Sequence, residues 1–162
     1  MPRGTWIAWY AGMGIGTDTI EMQNPEYTRE KLHALVKDTR TVIVLAGTAD
    51  TAIDGRPMAL VRTGDDTTMV LATSLDQVQA EELRRNPRVT VVLQGASYAL
   101  FTGDARISRD RGVINELWTE AWRQWSHGKQ DPALAVVTVE PIEGSYWEAT
   151  DRHSYLYRLV DD

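Results

Sequence analysis

The sequence predicts a mainly β, α+β domain: a six-stranded antiparallel barrel, closed or nearly closed, with helices on its flanks. Three observations predict it. Short apolar and β-branched runs recur along the chain, and the turns joining most of them are too short for the crossover a parallel pair needs. Only three segments carry the i, i+3, i+4 spacing of an amphipathic helix. Finally, 43% hydrophobic and 25% charged residues in a chain of 162 suit one globular domain with its own core. No repeat, linker or low-complexity tract interrupts it, and with no cysteine there is no disulfide framework, thiol nucleophile or thiolate metal site.

Residues 1–27 read as a leader, flexible or added as a strand to an edge. Trp6-Ile7-Ala8-Trp9-Tyr10-Ala11 follows Arg3 as in a signal peptide, but Gly12, Gly14 and Gly16 break the apolar run and no small-x-small cleavage site follows. No apolar run reaches the roughly 20 residues of a membrane helix, so a cytoplasmic location is expected. The domain proper spans 28–150. Thr28 caps a first helix whose Leu32, Leu35 and Val36 make one buried stripe. Thr41 to Leu45 is a core strand, Asp54-Gly55 a turn, Arg56 to Thr63 a second strand, Gly64-Asp65-Asp66 a turn and Thr67 to Thr73 a third strand. Ser74-x-x-Gln77 matches a capping box and starts a helix that stops at Asn86-Pro87. Arg88 to Gln94 and Tyr98 to Ile107 are strands about a turn at Gly95. Ile114, Leu117, Trp118, Ala121, Trp122 and Trp125 form the most regular helical stripe, ended by Asp131-Pro132. Leu134 to Glu140 and Ser145 to Ala149 are strands, and the 151–162 tail contains an apolar run, Tyr155 to Val160, able to form another.

A net charge of −6 disfavours broad contact with nucleic acid or an anionic membrane, while leaving room for a small basic pocket. Gly12-x-Gly14-x-Gly16 departs from the dinucleotide fingerprint, which wants its third glycine at Thr17 and an amphipathic helix behind it. His33, His127 and His153 have no ligand spacing, so no metal site is expected. No G-x-S-x-G elbow is present. Trp118, Trp122 and Trp125, at i, i+4, i+7, read as core or subunit interface, with a wall for a flat conjugated ligand as the functional alternative. Arg56-Pro57-Met58 opens one strand, and Thr73-Ser74 closes the next at a helix N-terminus. That pairing suits an anion, because an arginine forks onto phosphate while helix-start N–H groups and hydroxyls cradle it. The same residues also serve as a surface charge and a cap.

These pieces stand in a familiar order. Asp54-Gly55-Arg56-Pro57-Met58, Leu71-Ala72-Thr73-Ser74, Glu82-Leu83-Arg84-Arg85-Asn86-Pro87-Arg88-Val89, the Gly103 strand, Glu116-Leu117-Trp118 and Tyr146-Trp147-Glu148 resemble the pyridoxamine 5'-phosphate oxidase-like flavoproteins, in their general stress protein branch. The likeness runs from about Leu32 to Ala149. It implies the FMN-binding split-barrel fold and a homodimer with two sites for flavin mononucleotide (FMN) at the subunit interface. It further implies an oxidoreductase acting on a small molecule. Carried over by residue, Arg56, Pro57, Met58 and the strand through Val61 would meet the flavin and its phosphate, Ala72, Thr73 and Ser74 would continue the cradle, and Trp147 would reach the cofactor of the other subunit. Flavin reductions need no protein acid or base, so no catalytic residue is assigned. The basic C-terminal motif of the dedicated oxidases is absent, Arg152 and Arg158 notwithstanding, which argues against pyridoxamine phosphate as substrate.

One departure matters. The family's phosphate-binding serine and lysine after the Thr-Ser pair correspond here to Gln77 and Gln79, which bring no charge. Loss of a charge-assisted contact costs about 1.5–3 kcal/mol, roughly ten- to a hundredfold in affinity. Two further readings follow: a flavin-binding stress protein without turnover, and a cofactor-free enzyme or ligand-binding module with Asp54, Asp76 and Glu148 as its acidic candidates.

Overall fold

The computed structural model describes residues 18–22, 25–50, 52–95, 97–150 and 153–160. The Trp6 to Ala11 run and the Gly12, Gly14, Gly16 loop lie outside them. In order come β1 (Asp18–Met22), α1 (Pro25–Asp38), β2 (Thr41–Gly47), β3 (Ile53–Thr63), β4 (Met69–Ser74), α2 (Gln77–Arg85), β5 (Arg88–Gln94), β6 (Tyr98–Ser108), α3 (Arg111–Leu117), a 3-10 turn (Glu120–Gln124), β7 (Leu134–Thr150) and β8 (His153–Val160).

Six strands close a ring. The order β4-β3-β2-β5-β6 is antiparallel throughout, and β7 joins its two ends, pairing Met69 with Val139 on β4 and Ala105 with Val139 on β6. Period-2 alternation fills the interior. Along β5, Val89, Val91 and Leu93 are buried while Arg88, Thr90, Val92 and Gln94 face outward. The barrel is split because β7 changes neighbours. Its first half lies between β4 and β6, whereas from Glu143 onward it pairs with β8 on the side that β4 held. β1 extends this second lobe, parallel to β8.

Two close approaches pin the seam. At Gly103 the β6–β7 register shifts, and a Cβ there would sit 2.2 Å from the Glu140 carbonyl oxygen. At Gly144 a Cβ would lie 2.8 Å from Leu32 of α1, so the missing side chain lets α1 dock on β7.

Several local expectations are corrected. α1 begins at Pro25, whose fixed φ suits a first turn, and Thr28 is fully buried within the helix instead of capping it. Asp54 and Gly55 lie inside β3. Leu45 on the paired strand would come within 2.9 Å of a Cβ at Gly55, and the chain turns earlier, where the Thr48 N–H bonds the Ala52 carbonyl at 2.9 Å. The expected single helix over the tryptophan stripe breaks because Trp118 (ψ 135°) and Thr119 (ψ 154°) are extended. This turns Trp118 and Trp122 edge to face, with centroids 5.4 Å apart. Finally, Leu134 to Glu140 and Ser145 to Ala149 are one strand, with Pro141 tolerated at the register shift.

Candidate functional site

The polar site residues gather at the mouth of the barrel beneath α2. A cleft enclosing about 390 Å³, its open entrance included, is lined by Val44, Ala46, Gly47, Thr48, Asp54, Arg56, Met58, Leu75, Gln79, Glu82 and Leu83. The β2–β3 register places Val44 opposite Arg56 and Ala46 opposite Asp54, so the hairpin presents these four side by side. Val44, Met58, Leu75 and Leu83 are each no more than 5% exposed and form an apolar floor. Thr48, Asp54, Arg56, Gln79 and Glu82 make the polar rim.

The charges on that rim are mutually engaged. Arg56 donates from Nη2 to Asp54 Oδ2 at 2.9 Å, and their side chains are 23% and 48% exposed. Glu82 adds a second carboxylate without an arginine of its own in the cleft. The start of α2 is closed upon itself: Asp76 Oδ1 accepts the Gln79 N–H at 2.8 Å, and Gln79 Oε1 accepts the Asp76 N–H at 3.1 Å. The capping box therefore belongs to Asp76 and Gln79, two residues beyond the Ser74-x-x-Gln77 match. The φ −71°, ψ 172° of Asp76 suit an N-cap, while Ser74 is still the last residue of β4.

Of the residues singled out from the sequence, Arg56, Met58 and Gln79 come together in the cleft, with Asp54 beside them. The others do not line it. Pro57 is exposed on the outer face of β3, Thr73 is buried, Ser74 is half-buried at the strand end, and Gln77 is exposed at the first position of α2. Val61 and Ala72 face the opposite way, into a second apolar cluster with Ile114, Trp122, Leu134 and Val136. Trp147 stands opposite Tyr98 near the far end of β6, its Nε1 buried without a hydrogen-bond partner among the described residues. Glu148 belongs to β7, and its side chain is not described. Trp118 and Trp122 are packed on the outer wall of β4 and β7, and Trp125 is 37% exposed.

Sequence reasoning missed Thr48, Glu82 and Arg109. Glu82 had a legible signal, since it lies at i+3 from Gln79 on the helix face of buried Leu83. Thr48 becomes visible only once the β2–β3 register is known. Arg109 reaches across from the end of β6, donating from Nη2 to the Leu75 carbonyl at 2.9 Å and the Asp76 carbonyl at 3.4 Å. It thereby straps the segment leading into α2. Behind it, Asp131 fixes the loop before β7 by accepting the His127 and Ala133 N–H groups, each at 2.9 Å. These two bonds, the one from His127 foremost, hold its carboxyl below the ordinary aspartate value. No group of three His, Cys, Asp or Glu side chains suited to a metal occurs among the described residues. No helix among them is long and apolar enough to cross a membrane.

A family model described as "Pyridoxamine 5'-phosphate oxidase like" matches residues 27–160, extending the likeness into β8. General stress protein 26 of Bacillus subtilis is 29% identical over 103 residues, covering 59% of this chain and 74% of that protein. Among solved structures, a Clostridium acetobutylicum protein related to general stress protein 26 superposes with a TM-score of 0.70 at 17% identity, covering 83% of this chain and 96% of that one. The general stress FMN/FAD binding protein of Xanthomonas citri superposes with a TM-score of 0.63 at 25% identity, covering 78% of this chain and 92% of its own.

Proposed function

Because this chain belongs to the pyridoxamine 5'-phosphate oxidase like family, we propose that it binds a flavin at the barrel mouth and acts as an oxidoreductase on a small molecule. One observation carries the reading: the fold gathers Arg56, Met58 and Gln79, three residues that the family resemblance assigns to the cofactor, around one cleft. The FMN/FAD binding relative from Xanthomonas citri gives independent support. The apolar floor suits the flavin ring system, which brings the redox chemistry; the chain's part is to hold that ring against Met58 and Leu75 and keep water from it.

The site takes its second wall from another copy of the chain. Pro57, Ile43, Val92 and Leu100 stand in one cross-strand row on the outer face of β3, β2, β5 and β6, with Ile43 40% exposed and Pro57 exposed. This row is the surface of a homodimer whose cofactor sites lie between subunits. A cytoplasmic location accompanies this reading.

The test is an absorbance scan of purified protein before and after excess flavin and desalting, followed by addition of a nicotinamide donor. Retained flavin bands that bleach with the donor and recover with an acceptor support the oxidoreductase. Retained bands that never bleach leave a flavin carrier, and a colourless protein excludes both. Light scattering reads the assembly, and Ile43→Asp is expected to turn a dimer into monomers.

A further inference from the structure

We infer that the cleft recognises its ligand without a phosphate, favouring an uncharged or cationic end group over a phosphorylated one. The inference rests on the flavin reading for its choice of probe, and among flavins it selects riboflavin over FMN.

Holding a phosphate monoester, with its charge of about −1.5 to −2, takes unpaired cationic donors or open N–H groups at a helix start. Both are limited here, because the cleft sets one cation against two carboxylates. The charged side chains lining the cleft are one arginine and two carboxylates, Arg56 against Asp54 and Glu82. Arg56 is already bonded to Asp54 at 2.9 Å. A phosphate must displace that carboxylate or sit beside it, with Glu82 repelling it in either arrangement.

The helix start is partly engaged as well. The Asp76 carboxylate accepts the Gln79 N–H at 2.8 Å, so the positive end of α2 already faces an anion belonging to the chain itself. The Gln79 side-chain oxygen accepts the Asp76 N–H at 3.1 Å, so the capping box engages two of the donors at this end. Arg109 brings a cation to the same segment but donates to the Leu75 and Asp76 carbonyls and does not line the cleft. Beside the other Arg56 N–H groups, the cleft presents the Gln79 amide and the oxygens of two carboxylates. Acceptors of this kind match hydroxyl or ammonium donors on a ligand.

Flavin fluorescence quenching tests this with riboflavin and FMN on the wild-type chain and on Asp54→Asn and Glu82→Gln, at low and high salt. The wild-type chain is expected to bind riboflavin at least as tightly as FMN, with the FMN dissociation constant falling as salt screens the carboxylates. Asp54→Asn releases Arg56 and should tighten FMN about tenfold while leaving riboflavin within about twofold, and Glu82→Gln should act in the same direction. Wild-type binding of FMN ten or more times tighter than riboflavin overturns the inference.

If neither flavin binds, the flavin reading falls, and inorganic phosphate decides the inference alone. NMR titration with millimolar phosphate should leave the wild-type cleft resonances unmoved and shift those of Asp54→Asn. Movement of the Arg56 Nε resonance in the wild-type chain overturns it.

Discussion

On its outer side the β3–β4 hairpin packs Val61, Val70 and Ala72 against Ile114, Trp118 and Trp122. On the inner side, at the open end of the same β3 strand, Asp54 and Arg56 meet across 2.9 Å over a floor of Val44 and Met58, and a cleft opens. The backbone is common to both, and only the parity of the side chains differs. Packing is complete where bulky aromatics meet small β-strand residues. It is incomplete where paired charges stand over aliphatic residues beside a capped helix start. The proposed ligand site is on the second side, where the cleft opens between Arg56, Gln79 and Glu82.

Trp122→Ala has the largest expected effect and strikes the outer wall. Removing a side chain 3% exposed at the centre of the outer cluster is expected to cost about 3–5 kcal/mol in urea unfolding. Ligand affinity per folded molecule should be unchanged, because the two sides share few contacts. A parallel loss of affinity would show them coupled.

Asp131→Asn comes next, at about 2–3 kcal/mol, since the two N–H groups at 2.9 Å lose a charged acceptor. Its pH behaviour has a definite sign. The folded carboxyl titrates below its unfolded value of about 4. Its contribution is therefore present above that value and drains away as pH falls through the lower, folded one. Denaturation profiles from pH 7 to 3 should converge for wild type and variant at the acid end.

Asp76→Ala should cost about 1 kcal/mol by uncapping α2. It should also improve FMN binding, because the helix start regains open N–H groups. The smallest effect on stability is expected of Arg56→Ala, below about 1 kcal/mol for a half-exposed pair. Its consequence should appear in ligand binding alone, the signature of a residue placed for the cleft and not for the fold.

Much of the barrel was legible because alternation in a half-buried strand is a one-dimensional signal. β5 was expected from Arg88 to Gln94 and is found there. What escaped depends on contacts between distant segments. Asp54-Gly55 reads locally as a turn, and only Leu45, leaning over Gly55 from β2, makes it strand. The tryptophan stripe has faultless helical spacing, yet the wall of β4 and β7 holds Trp118 and Trp122 in an arrangement that one continuous helix cannot provide. For the candidate site the resemblance named the arginine, methionine and second glutamine that line the cleft, but not the pairing of the arginine with a carboxylate. Asp54 facing Arg56 follows from strand parity, whereas Glu82 facing the same space follows from where α2 lies across the barrel end.

The long β7 strand carries a consequence for how the chain acquires its structure during synthesis. The ring closes only when β7 pairs at once with β4 and β6, and Val139 alone joins Met69 to Ala105. Until that segment leaves the ribosome, at about 5–20 residues per second, β4 and β6 are both bare edges able to pair with neighbouring nascent chains. High sequence separation of this kind slows folding. The productive event is therefore late and concerted, and slowing translation just ahead of Leu134 would prolong the interval in which the half-made barrel can associate wrongly.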